Sequence, residues 1–220
     1  MTILDALSWM LNGDKKFRPN IEKAYNVRPD LSYIGNTLKE KGINGLTTVI
    51  PKVGTPILMA RAERMSSGED IILKIGKGAI EQKYDGFRLQ CHFVKNKEGE
   101  MKLFSRNLED VTHMYPDIAM GIKKQIDAKE AIIEGEAVAY NPQTGEYLPF
   151  QETVQRKRKY DIEAKAKKIP LKLFVFELLF LNGKSYLTDY YTERKKALRK
   201  IVRTGDTILF AEEEITDDPK

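Results

Sequence analysis

The chain is poor in residues that staple or ligate. Cys91 is its only cysteine, so no disulfide can form within it. The two histidines, His92 and His113, have no partners at metal-ligand spacing and carry no assigned role. No apolar run approaches the length of a membrane span. No leader with a basic start, an apolar middle and a small-residue cleavage site opens the sequence. Repeats and low-complexity stretches are also lacking. These absences exclude a disulfide scaffold, a His/Cys metal centre and a membrane-spanning helix. They leave a soluble protein of a reducing compartment as the expectation, cytoplasmic or, in a eukaryote, nuclear.

What is present suits a globular enzyme or binding domain. The 220 residues allow one full domain, or one domain plus part of another, and a hydrophobic fraction of 41% permits a substantial core. Lysine and arginine number 37 against 32 acidic residues, giving a net charge of +5. With a pI near 9.0, this balance is compatible with a polyanionic partner.

The first part of the chain has helical spacing. Ile3, Leu4, Leu7, Met10 and Leu11 mark one apolar face over 2–12. Ile21, Ala24 and Tyr25 follow Pro19 as a second short helix. Pro29-Asp30 starts a third, carrying Leu31, Ile34 and Leu38, which Gly42 stops. Helices this short are expected to lack a core of their own and to pack loosely on the rest of the chain. Gly45, Pro51, Gly54 and Pro56 make 43–60 an extended connector. A domain boundary near residue 50 therefore separates a helical segment, 1–50, from a mixed domain, 51–220.

In the second part Leu89, Cys91 and Phe93 alternate with Arg88, Gln90 and His92, the pattern of a half-buried strand. A polar turn over 95–100 leads to a partner strand at 102–105. A helix is expected over 117–126, an apolar strand with Glu134 and Glu136 over 131–140, and a polar helix over 152–167. A central strand over 171–181 ends at Asn182-Gly183, before a basic helix over 190–202 and a last strand over 207–211.

Residues 81–88 read Glu-Gln-Lys-Tyr-Asp-Gly-Phe-Arg. Lysine is protonated at neutral pH and becomes a nucleophile only where its surroundings favour the free amine. Lys83 lies between carboxylates, just before a glycine turn and Arg88. A Lys-x-Asp-Gly element followed by arginine resembles motif I of the covalent nucleotidyltransferases: ATP-dependent DNA ligases, RNA ligases and capping enzymes. Alone it is weak, since such residues meet often in surface turns. Further segments follow in register. Ser105-Arg106-Asn107 resembles motif Ia, Glu134-Gly135-Glu136 motif III, and Leu173 to Gly183 motif IIIa. Tyr115-Pro116-Asp117, Pro149-Phe150-Gln151 and Arg156-Lys157-Arg158-Lys159 are similar to segments of cellular ligases. Lys23 to Leu31 resembles the end of the helical DNA-binding domain of archaeal and eukaryotic ligases.

The resemblance to ATP-dependent DNA ligases covers nearly the whole chain and rests on motif order. It implies an α+β fold with antiparallel sheets flanking a nucleotide cleft and helices outside. It implies that Lys83 attacks the α-phosphate of ATP and holds AMP, and that ATP and Mg2+ are the cofactors. Glu81 would face the adenine amino group and Phe176 would stack on the ring. Arg88 and Arg106 would contact phosphate or ribose. Glu136 would meet the ribose hydroxyl or the metal, with Glu134 on the same face. Arg156, Lys157, Arg158 and Lys159 would touch the DNA backbone, making binding salt-sensitive. The implied substrate is nicked duplex DNA in replication, repair and recombination. The protein would be a monomer, with a sliding clamp reached through parts outside this sequence. Motifs IV and V of the family are not found. The expectation is thus an adenylation domain truncated before them, preceded by a remnant of the DNA-binding domain. The alternatives are a catalytically inactive nucleic-acid-binding fragment and an RNA ligase or capping-type enzyme.

Overall fold

The computed structural model describes residues 2–60, 62–95, 101–156, 160–203 and 205–219. Helices α1 (Thr2–Asn12), α2 (Arg18–Val27) and α3 (Leu31–Lys41) open the chain, followed by a 3-10 turn at Ile43–Thr48. Asp30 caps α3 by accepting the Tyr33 N–H at 2.9 Å. These helices do build a core: Leu4, Ile21, Ile34 and Leu38 are buried together with Leu46 and Val49. The expectation that they lack a core of their own is therefore corrected. Each helix is short, but the turn at 43–48 folds back to close the cluster.

The second part begins with α4 (Gly68–Ile75), which periodicity did not reveal. Its signals are local: Ser67 accepts the Asp70 N–H at its start, and Gly76 (φ +75°) closes it. Next come β1 (Gly78–Glu81), β2 (Phe87–Val94), β3 (Lys102–Phe104), α5 (Pro116–Gln125) and β4 (Glu130–Ala139). The polar helix expected over 152–167 is two pieces, α6 (Phe150–Val154) and α7 (Ile162–Lys168). Then follow β5 (Leu171–Leu181), β6 (Lys184–Ser185), α8 (Tyr191–Ile201), β7 (Ile208–Phe210) and β8 (Glu213–Thr216). Asn182 (φ 47°) and Gly183 (φ 86°) take the left-handed conformations that a tight β5–β6 hairpin needs.

The main sheet runs β3-β2-β4-β5-β6, antiparallel throughout, with β7 added parallel to β5. Strands β1 and β8 form a separate antiparallel pair. The class is α+β, as expected. One face of the sheet carries Leu89, Cys91, Ile133, Leu173 and Val175 into a large core with Ile118 and Ile122 of α5 and Leu198 and Ile201 of α8. The other face carries Arg88, Gln90 and His92 from β2, which turns out not to be half-buried. Gln90 and His92 are 3% and 0% exposed, because the connector packs over them and places Ile57 against Ile132, Leu179 and Phe180. Arg88 and Glu136, toward the other end of this face, are half-buried.

Candidate active site

The Lys83 loop joins β1 to β2; Gln82 donates to Glu212 at its start, and two contacts fasten it to the main sheet. The Tyr84 ring stacks on Phe174, with centroids 4.0 Å apart and planes 13° from parallel. Gly86 lies so close to β4 that a Cβ there would meet the Ala137 carbonyl oxygen at 2.2 Å. The glycine thus serves close approach rather than the expected turn. Asp85, between these anchors, and Lys83, directly before the first, are exposed.

The floor beside the loop is charged. Arg88 and Glu136 are direct cross-strand partners. The Gly86 N–H, Arg88 and Lys83 all favour ionised Glu136, yet burial outweighs them and pushes its pKa up to about 7. Arg88 donates from Nη2 to Glu134 Oε2 at 2.5 Å, and its guanidinium lies over the Phe176 ring at 5.2 Å. Gly135, between the two glutamates, is again a close approach: a Cβ would meet the Phe174 carbonyl oxygen at 2.7 Å. The β4–β5 register shifts here, so Phe176 has no cross-strand partner and stands as a bulge. Lys83, Arg88, Glu136 and Phe176 are thereby gathered at one end of one sheet face.

A buried polar ladder continues from Arg88 along β2. Gln90 Nε2 donates to Glu134 Oε1 at 3.0 Å and to the Ile57 carbonyl at 3.1 Å, while its Oε1 accepts the Ile57 N–H at 2.7 Å. His92 Nδ1 accepts the Gly54 N–H at 3.0 Å, so Nε2 carries the proton and donates to Gln90 Oε1 at 2.8 Å. Burial lowers the His92 pKa to about 3, and the ring is neutral. Sequence reading gave His92 no role. Its signal was a histidine and a glutamine alternating with apolar residues on a strand whose polar face had no evident cover.

Glu81 lies at the end of β1, opposite Glu213 on β8. Its Oε1 accepts from Lys195 Nζ at 2.5 Å and from Tyr191 Oη at 3.1 Å. Glu213 binds the same Tyr191 hydroxyl, Lys195 at 3.2 Å and Arg199 at 2.6 Å. Tyr191 and Lys195 were missed because on α8 they read as surface positions of a basic helix.

The basic candidates divide. Arg106 is exposed on the turn after β3 and lines a narrow crevice with Arg88, Ser105 and Glu134. Arg156, expected on a DNA-facing helix, is instead 2% exposed. Asp117 and the Ile169 carbonyl take its donors, so it is corrected from phosphate contact to structural anchor. Lys157, Arg158 and Lys159 lie outside the described residues. Among the described residues no group of three or more His, Cys, Asp and Glu side chains could hold a metal. A cation here would have Glu136 and few other protein ligands.

Residues 59–220 match the family model described as the ATP dependent DNA ligase domain. The chain is 48% identical over 219 residues to the probable DNA ligase of Dictyoglomus turgidum, a match covering 100% of this chain and 37% of that protein. Against the DNA ligase of Staphylothermus marinus the identity is 42% over 219 residues, covering 99% and 36%. The chain therefore spans 36–37% of the length of these relatives.

Proposed function

The chain belongs to the ATP-dependent DNA ligase family, and we propose that it carries the nucleotide-loading step, with Lys83 as nucleophile. The observation that carries this reading is the anchored loop, which holds an exposed lysine beside Arg88, Glu136 and Phe176. In this reading residues 51–220 are the adenylation domain and 1–50 the end of a DNA-binding domain.

ATP would place its adenine against Phe176, within reach of Glu81. The Lys83 amine, having shed a proton, attacks the α-phosphorus. A P–N bond forms, the bond to the β-phosphate oxygen breaks, and pyrophosphate leaves. Arg88 offers a planar fork for the charge that grows on the phosphate, and Arg106 meets the ribose or a DNA phosphate. Glu136 would hold a ribose hydroxyl or a magnesium ion, which when bound offsets phosphate charge. The stored AMP is then available for the 5′-phosphate of nicked duplex DNA, in replication, repair or recombination. The protein acts as a monomer, and any sliding-clamp contact lies outside this sequence.

Intact mass measurement after incubation with ATP and magnesium tests the reading. The expected result is a gain of one AMP, lost in Lys83→Ala and absent with GTP. Labelling that survives Lys83→Ala would refute the nucleophile. Absence of labelling in the wild-type chain would favour a nucleic-acid-binding fragment without catalysis.

A further inference from the structure

Glu81 and Glu213 form a cross-strand pair. Two carboxylates directly opposite one another repel and destabilise the pair of strands that carries them. Lys195 resolves the conflict. Its side chain is 9% exposed, and its ammonium lies 2.5 Å from Glu81 and 3.2 Å from Glu213. The Tyr191 hydroxyl reaches the same two carboxylates. Both contacts to Glu81 fall on Oε1, so they fix that end of the carboxylate.

The preceding residue of α8 grips the other side of the site. Arg194 donates to both carboxylate oxygens of Glu177, from Nε at 2.8 Å and Nη2 at 3.1 Å. Glu177 directly follows Phe176, the bulged ring on β5. Consecutive residues of one helix thus hold Glu81 and the neighbour of Phe176. The ring comes from the main sheet and the carboxylate from the separate β1–β8 pair, and α8 bridges them.

Building on the nucleotide reading above, we propose that Lys195, supported by Tyr191, is the positioning residue for base selection. It holds Glu81 at a fixed offset from Phe176, where Oε2 accepts the 6-amino group of adenine. A fixed charged acceptor discriminates between a ligand that has the donor and one that lacks it. A carboxylate free to swing discriminates less, because ordering it costs side-chain entropy.

The test is equilibrium binding of two nucleotides to the 220-residue chain: ATP, and purine riboside triphosphate, which lacks the 6-amino group. Wild type should prefer ATP by about tenfold, the worth of one charge-assisted hydrogen bond. In Lys195→Met that ratio should fall toward one, and Lys195→Arg should restore most of it. A merely structural role would weaken both nucleotides alike and leave the ratio unchanged. Tyr191→Phe, a milder change, should lower the ratio in part and carries the test if Lys195→Met fails to fold. Folded Lys195→Met and Tyr191→Phe variants with the wild-type ratio would overturn the proposal. Equal binding of both nucleotides by wild type, or a ratio untouched by Glu81→Ala, would sink the underlying base-contact reading and the proposal with it.

Discussion

Arg156 and Asp117 meet through two parallel hydrogen bonds of 2.9 Å each, Nη1 to Oδ2 and Nη2 to Oδ1. The Ile169 carbonyl takes a further bond from Nη1 at 2.7 Å, and the Leu171 N–H donates to Asp117. This junction ties α5 to the segment after α6 and to the start of β5. Removing the arginine leaves a partly buried carboxylate and a carbonyl without their donor. Arg156→Ala should cost about 3 kcal/mol, the low end for a broken buried pair because Asp117 keeps some solvent contact. Arg156→Lys should recover little, since an ammonium cannot match the planar fork. Urea denaturation measures both. A near-neutral Arg156→Ala would show that the side chain belongs to the surface after all.

Most of the fold could be read from periodicity. Strands β2, β4 and β5 and helices α1, α5 and α8 fall where apolar spacing put them, because burial on one face leaves a period of two or 3.6. Strands β1 and β8 escaped because each has four residues and little burial. Pairing alone defines them, and pairing partners far apart in sequence leave no local trace. The motif residues Lys83, Arg88, Glu136 and Phe176 were legible as types in order, and the fold gathers them. Arg156 misled because its basic neighbours suggested a solvated face, whereas its partner Asp117 is remote in sequence. The glycines of two motifs, Gly86 and Gly135, gain their reason only in three dimensions, as points where backbones nearly touch.

His92 makes stability depend on pH. Its ordinary value is 6.5 and burial lowers it to about 3 in the fold. Between those values the unfolded chain binds more protons, so the His92 contribution is present above pH 6.5 and is lost as pH falls below it. Glu136 has the opposite sign: raised from 4.5 to about 7, it favours the fold at low pH and loses that contribution as pH rises. The difference between wild type and His92→Gln cancels Glu136. The advantage of wild type should shrink by about 1.4 kcal/mol from pH 8 to pH 5.5. Paired denaturation curves at the two pH values check this, and a constant difference would contradict a neutral buried ring.

Glu136→Gln should separate stability from function. Above pH 7 the native carboxylate is ionised in a site that disfavours the charge. The amide removes that charge and can still accept from the Gly86 N–H. In chelator at pH 8 the variant should melt higher than wild type, and the gain should vanish as pH falls toward 4.5. Magnesium and ATP should stabilise wild type more than the variant, since binding only the native state raises its apparent stability. A variant less stable than wild type at pH 8 without metal would mean the carboxylate is already well compensated.

The Tyr84–Phe174 stack supports a last prediction, about rate rather than stability. Lys83 is exposed and joined by one peptide bond to Tyr84, whose ring is held against β5 with Tyr147 edge-on to Phe174 at 5.3 Å. Stacked rings contribute about 0.5–1.5 kcal/mol beyond their buried area, enough to set where the loop rests. Tyr84→Ala releases that anchor and leaves Gln82 bonded to Glu212 and Gly86 against Ala137. The chain should remain folded, because the large core lies on the opposite face of the sheet. The lysine, however, would sample many positions relative to Glu136 and Arg88. Misplacement of a reacting group by about 1 Å costs on the order of a hundredfold in rate. Self-adenylation by Tyr84→Ala should therefore slow by roughly that factor, while ATP affinity, governed by the base contacts and Arg88, changes far less. Tyr84→Phe keeps the stack and should react at close to the wild-type rate. Single-turnover labelling followed by intact mass, with calorimetry for affinity, separates the two quantities. Equal labelling rates in wild type and Tyr84→Ala would show that the stack does not position the nucleophile.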